Sequence, residues 1–98
     1  MKKTFKLTHE KLKLPRLVDA IKHEVKKYIK RERRRALPEG ADYWDFDCRF
    51  GMDEASSEII HLSEINKSIS WAESEKLESF YLEILAKPCR RNKTPEVE

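Results

Sequence analysis

Residues 70–88 read SWAESEKLESFYLEILAKP, and the period assigned to this stretch sets how many helices and strands the fold contains. Leu77, Phe80, Tyr81, Ile84 and Leu85 fall at i, i+3, i+4, i+7 and i+8, the spacing of one helix face. Ser70 and Glu73 make the S-x-x-E pattern of a capping box ahead of them, and Pro88 supplies a stop. The stretch predicts a second helix over about Trp71–Lys87, with both Trp71 and Trp44 turned inside.

Upstream, Tyr43–Gly51 reads YWDFDCRFG, the cleanest period-two signal in the chain. Trp44, Phe46, Cys48 and Phe50 share one face. Tyr43, Asp45, Asp47 and Arg49 share the other. After a loop at 52–56, residues 57–64 predict a third strand whose alternation fits two orientations, with Ile60 and Leu62 on one face and Ile59, His61 and Ser63 on the other. Placing Ile60 and Leu62 inward is favoured because it leaves His61 outside. The short loop makes these two strands an antiparallel hairpin.

Before the hairpin, Pro15 to Ala36 predicts the first helix. Leu14, Leu17, Val18, Ile21, Val25, Tyr28 and Ile29 cover an arc of roughly 120° at about 100° per residue. Pro15 suits the first helical turn, and Pro38 with Gly40 marks the exit. Glu32 and Arg35 project from the apolar side, so the last turn overhangs the core. The first strand is Lys2–Thr8, with Phe5 and Leu7 alternating with Thr4 and Lys6.

The expected class is α+β, in two layers, with order β-α-β-β-α. A three-stranded sheet in strand order 1-3-2 would carry both helices on one face. This arrangement resembles a ferredoxin-like fold lacking its last strand. The likeness lies in element order and carries no activity. Residues 1–88 make one domain and 89–98 a mobile polar tail. Strand one would expose an edge that Lys2, Lys3 and Lys6 protect, or that pairs with a second chain.

Charge is unevenly placed. Residues 1–35 hold 14 Lys/Arg against 4 Asp/Glu, and residues 36–98 hold 7 against 14. The two parts therefore carry +10 and −7. Lys22–Arg35, KHEVKKYIKRERRR, concentrates the positive charge on the helix side opposite the apolar stripe. Clustered cations on a rigid support suit phosphates, whose neutralisation releases counterions. Guanidinium forks also grip phosphate oxygens in pairs. Lys22, Lys26, Lys27, Lys30, Arg31, Arg33 and Arg34 are the candidate contacts for RNA or DNA, in a binding that ignores base sequence and weakens with salt. The alternatives are an acidic protein partner, a homodimer through the strand-one edge, or a merely solvated helix back.

Other chemistries find little support. Asp42, Asp45, Asp47 and Glu58 could gather on one sheet surface and hold Mg²⁺, and Asp47-Cys48-Arg49 faintly resembles a nuclease D-x-K element. It departs from that element at the Lys. His9, His23 and His61 are too scattered for metal-ligand spacing. With Gly40 and Gly51 the only glycines, no glycine-rich phosphate loop can form. No catalytic residue, metal or cofactor is expected. Cys48 reads as a small buried residue and Cys89 as part of the tail, with no disulfide framework. The N-terminus lacks the apolar region of a signal peptide, and no segment reaches the roughly 20 apolar residues of a membrane span. A reducing cytoplasm is the expected compartment. A membrane-surface role would strip the apolar stripe from the core it must cover.

The segments FKLTH (Phe5–His9), HEVKKYIKRERRR (His23–Arg35), LPEGADYWDFDCRFG (Leu37–Gly51) and LESFYLEILAKP (Leu77–Pro88) resemble a family of small bacterial proteins of unknown function. That resemblance implies a bacterial, cytoplasmic, single-domain protein. It transfers no activity, ligand or site residue.

Overall fold

Two long strands, β2 (Tyr43–Gly51) and β4 (Ser79–Cys89), form the centre of the sheet in a computed structural model that describes residues 1–91. The remaining elements are β1 (Lys2–Lys6), α1 (Leu14–Arg33), β3 (Glu58–Ile60), a 3₁₀ turn (Leu62–Glu64) and α2 (Ile65–Ser74). Four antiparallel strands lie in the order β1-β4-β2-β3. The α+β class and the two helices match the reading from sequence. The three-stranded sheet, the order 1-3-2 and the missing last strand do not.

The difference comes from the stretch over Leu77–Lys87, which is mostly strand rather than helix. Its apolar residues satisfy both periods. Phe80, Leu82, Ile84 and Ala86 also alternate, and they lie in register with Phe5, Phe50, Cys48 and Phe46 on the neighbouring strands. A helix would turn Leu82 away from the Leu77–Leu85 stripe, at about 100° per residue. As a strand the segment buries Phe80, Leu82 and Ile84 completely, while Tyr81 is buried on the opposite face. A central strand flanked on both sides gains these contacts only in the tertiary fold, and burying each large apolar side chain contributes about 1.5–3 kcal/mol.

The second helix therefore starts earlier. Ser70 and Glu73 lie inside α2 and form no capping box. The capping box that exists joins His61 and Glu64 across the 3₁₀ turn. Ser63 donates its backbone N–H to the His61 ring, and the His61 backbone N–H donates to Glu64. Ile65, Ile69 and Ala72 face the core. The helix ends in a Schellman arrangement, with Leu77 N–H on the Ala72 carbonyl and Lys76 N–H on that of Glu73. Lys76 takes the left-handed φ of 56° this turn requires. Trp71 stays 47% exposed, edge-on to the Phe50 ring, instead of inside.

Helix α1 follows its pattern closely. Val18, Ile21 and Val25 are buried, and Leu14, Leu17, Tyr28 and Ile29 pack against the same cluster. The helix closes at Arg33 rather than Ala36, because Arg34 and Arg35 N–H groups turn back to the Arg31 and Glu32 carbonyls. Both helices share one core with Phe5, Phe46, Cys48, Phe80, Leu82 and Ile84. Strand β3 is shorter than expected, yet Ile60 and Leu62 pack inward and His61 is exposed, the favoured one of the two orientations its alternation allows. The hairpin turns tightly at Gly51, where an added Cβ would lie 2.5 Å from Ser57 Cα. Cys89 ends β4 instead of opening a tail, and Arg90 donates to the Gly40 carbonyl. Residues 92–98 of the expected mobile tail lie outside the described residues.

Candidate functional site

Because the apolar stripe of α1 is held by the core, the other side of the helix must face outward. Lys26, Lys27, Lys30, Arg31, Arg33 and Arg34 are all exposed, and Lys22 is half-buried. Among the described residues, none of the seven forms an ion pair. The three pairs present are Lys3–Glu24, Arg35–Glu32 and Lys87–Asp47. Although α2 packs beside α1, no described carboxylate of the acidic part pairs with these seven cations. Asp45, Asp47 and Glu83 lie on the sheet face that carries neither helix, near Arg49 and Lys87.

The seven cations do not form one flat patch. Lys22, Lys26, Lys30 and Arg33 line a cleft of about 610 Å³ between α1 and the start of α2. Its floor is apolar, with Val25, Ile29, Leu62 and Ile65. Ser63 and Asn66 stand on the far wall, and no carboxylate lines it. Lys22 donates to the Ser70 hydroxyl across the helices at 2.7 Å. Lys27 and Arg31 line a different hollow, between α1 and β1, where Lys3 and Glu24 pair. His23 borders both hollows.

Three guanidinium groups near the helix end stack on rings. Arg31 lies over Tyr28 at 5.5 Å, Arg33 over Phe46 at 5.6 Å and Arg35 over Trp44 at 5.0 Å from the ring centre. Trp44 also donates its indole N–H to the Arg35 carbonyl. These contacts give the flexible side chains fixed directions, a contribution of about 0.5–1 kcal/mol each at exposed sites. The Arg35 guanidinium is also paired with Glu32, whereas those of Arg31 and Arg33 have no carboxylate partner among the described residues.

The carboxylates proposed as a metal cluster are separated in use. Asp42 accepts from Arg91 N–H, Asp45 from Phe46 N–H, and Asp47 pairs with Lys87. No group of three His, Cys, Asp or Glu among the described residues is placed to hold a metal. Both cysteines are free. Among the described residues, no helix is long and apolar enough to cross a membrane.

A family model described as a family of unknown function (DUF6172) matches residues 1–95. The chain belongs to this family. No curated protein and no solved structure matches the DUF6172 chain. Its site must therefore be argued from its own residues. The sequence reveals the cationic wall of the cleft in DUF6172 but not Ser63 and Asn66, which stand opposite, nor that the inward Leu62 joins the cleft floor. By their pattern these residues belong to a strand end and a loop. Only the packing of α2 beside α1 brings them there. The His61-x-x-Glu64 spacing, an unusual capping box, was the available signal for a helix beginning at that point.

Proposed function

We propose that this protein is a non-enzymatic binding module that takes RNA or DNA phosphates along α1, in the reducing cytoplasm of a bacterium. One observation carries the reading. Seven cations, six on α1 and Arg34 just past its end, are free of carboxylate partners among the described residues, and four of them converge on a cleft without an acid in its lining. Side chains four residues apart rise about 6 Å along a helix, so Lys22, Lys26 and Lys30 present charge at regular intervals to an extended anion. The ordered guanidinium groups of Arg31 and Arg33 extend this row. Nothing in the contact set selects a base, so binding depends on charge and salt rather than sequence. Two free cysteines, one wholly buried, suit a reducing compartment.

Fluorescence anisotropy with labelled RNA and DNA over a salt series tests this reading. With six or more phosphates neutralised, affinity should fall about 10³-fold or more between 50 and 200 mM salt. Changing Lys26, Lys30, Arg33 and Arg34 together to Glu should abolish binding in a protein that still melts cooperatively. Unaltered affinity in that variant removes α1 as the site.

A second reading is a protein-interaction module, as a homodimer or with an acidic partner. It is favoured by β1, whose outer edge has no partner strand among the described residues. Lys2, Lys3 and Lys6 on that edge oppose pairing with an identical copy. Mass in solution at two concentrations, with and without nucleic acid, separates the readings. A stable dimer indifferent to nucleic acid would favour the second.

A further inference from the structure

We propose that the cleft between α1 and α2 selects single-stranded over duplex nucleic acid, by seating an unpaired base on its apolar floor while the Lys22–Arg33 row holds the flanking phosphates. The inference rests on the phosphate-binding reading above and names its ligand class. A surface evolved only for phosphate needs cations and water. This cleft has a different composition. Its floor is Ile29 and Leu62, half-buried, over the buried side chains of Val25 and Ile65. Charge is confined to the α1 rim, and the opposite wall offers the neutral polar groups of Ser63 and Asn66.

A nucleotide divides in the same way. It has one anionic end and one flat, largely apolar ring with hydrogen-bonding edges. In a duplex the ring faces are stacked, so a protein helix meets only phosphates and the base edges that line the grooves, and no ring can enter a recess. In a single strand the base is free to turn out of the backbone and into a recess. About 610 Å³ lies inside the usual range of roughly 300–1,000 Å³ for small-ligand sites, ample for a base. Asn66 makes no side-chain hydrogen bond among the described residues, so its amide can donate to or accept from a base edge. The exposed sheet face is a poorer platform, because Asp45, Asp47 and Glu83 stand on it.

The test compares labelled oligothymidylate of about 15 nucleotides with a duplex of equal length at one low salt concentration. The single strand should bind about tenfold tighter or more. Two exposed, singly substituted variants locate the effect. Asn66→Glu puts a carboxylate on the cleft wall, and Ile59→Glu puts the same charge on the sheet face that carries neither helix, where Ile59 is 79% exposed. Asn66→Glu should weaken single-strand binding about tenfold and Ile59→Glu less than about threefold. Equal affinity for single strand and duplex, or equal losses in the two variants, overturns the cleft as a base seat while phosphate binding by α1 stands. Failure to bind either oligonucleotide at low salt overturns both readings together.

Discussion

Cys48 and Cys89 show how placement within neighbouring strands separates two chemically identical groups. Cys48 is 1% exposed among aromatic and aliphatic neighbours, and burial, followed by the nearby Asp47 and Asp45 charges, pushes its thiol up to about 11. Cys89 is half-buried at the end of β4. Only a thiolate reacts readily with an alkylating reagent. At pH 8 iodoacetamide should therefore add one label to the folded protein, at Cys89, and a second only in denaturant. Peptide mass spectrometry would settle the site, and early labelling of Cys48 would contradict its burial. The alternation of Cys48 with Trp44, Phe46 and Phe50 was enough to foresee this burial from sequence. The fate of Cys89 was not legible, because it depends on Pro88 and Cys89 continuing a strand opposite Trp44 and Tyr43.

At the scale of elements, the end of α2 is the most consequential local feature. Lys76 sits at φ 56° without being glycine, so the Schellman turn is bought against side-chain strain. A left-handed residue with a Cβ costs about 1–2 kcal/mol, and glycine's extra freedom in the unfolded chain offsets about 0.5–1 of that. Lys76→Gly should thus stabilise the protein by about 0.5–1 kcal/mol, raising Tm by about 2–8 °C in a circular dichroism melt. A fall in Tm would mean that the lysine side chain makes contacts worth more than the strain. The same residue explains the misread helix. With glycine at position 76, the break between α2 and β4 would have been visible in the sequence. With lysine there, the helical spacing of Leu77, Phe80, Tyr81, Ile84 and Leu85 ran on unopposed. By contrast α1 and β2 carry patterns that fit one period only, and both elements formed where those patterns lie.

For the whole molecule, stability should depend on alkaline pH. Tyr81 is 4% exposed, and burial, with its hydrogen bond to Glu83, pushes its hydroxyl up to about 12. Burial also raises Cys48 and Tyr28, and the bond to Asp47 raises Lys87. In each case the folded value lies above the unfolded one, so the fold favours the protonated form. That stability is fully present below the unfolded value and is lost as pH rises through the folded one. Tm should hold to about pH 9 and decline towards pH 12, and Tyr81→Phe should show a shallower decline. An equal decline in the variant would assign the effect to the other groups.

The sequence alone determined the mixed class, the inward stripe of α1, the β2–β3 hairpin and the outward row of cations, because each rests on a short-range period within one element or, for the hairpin, on a short loop between neighbours. Tertiary structure decided the rest. Leu82 and Ile84 are apolar enough for either a helix or a strand. Burial between β1 and β2 tipped them into a fourth strand, because only the folded sheet offers backbone partners on both sides at once. The cleft is likewise a tertiary product. Its cations belong to one helix, but its floor and far wall exist only where Leu62, Ile65 and Asn66 are packed beside that helix.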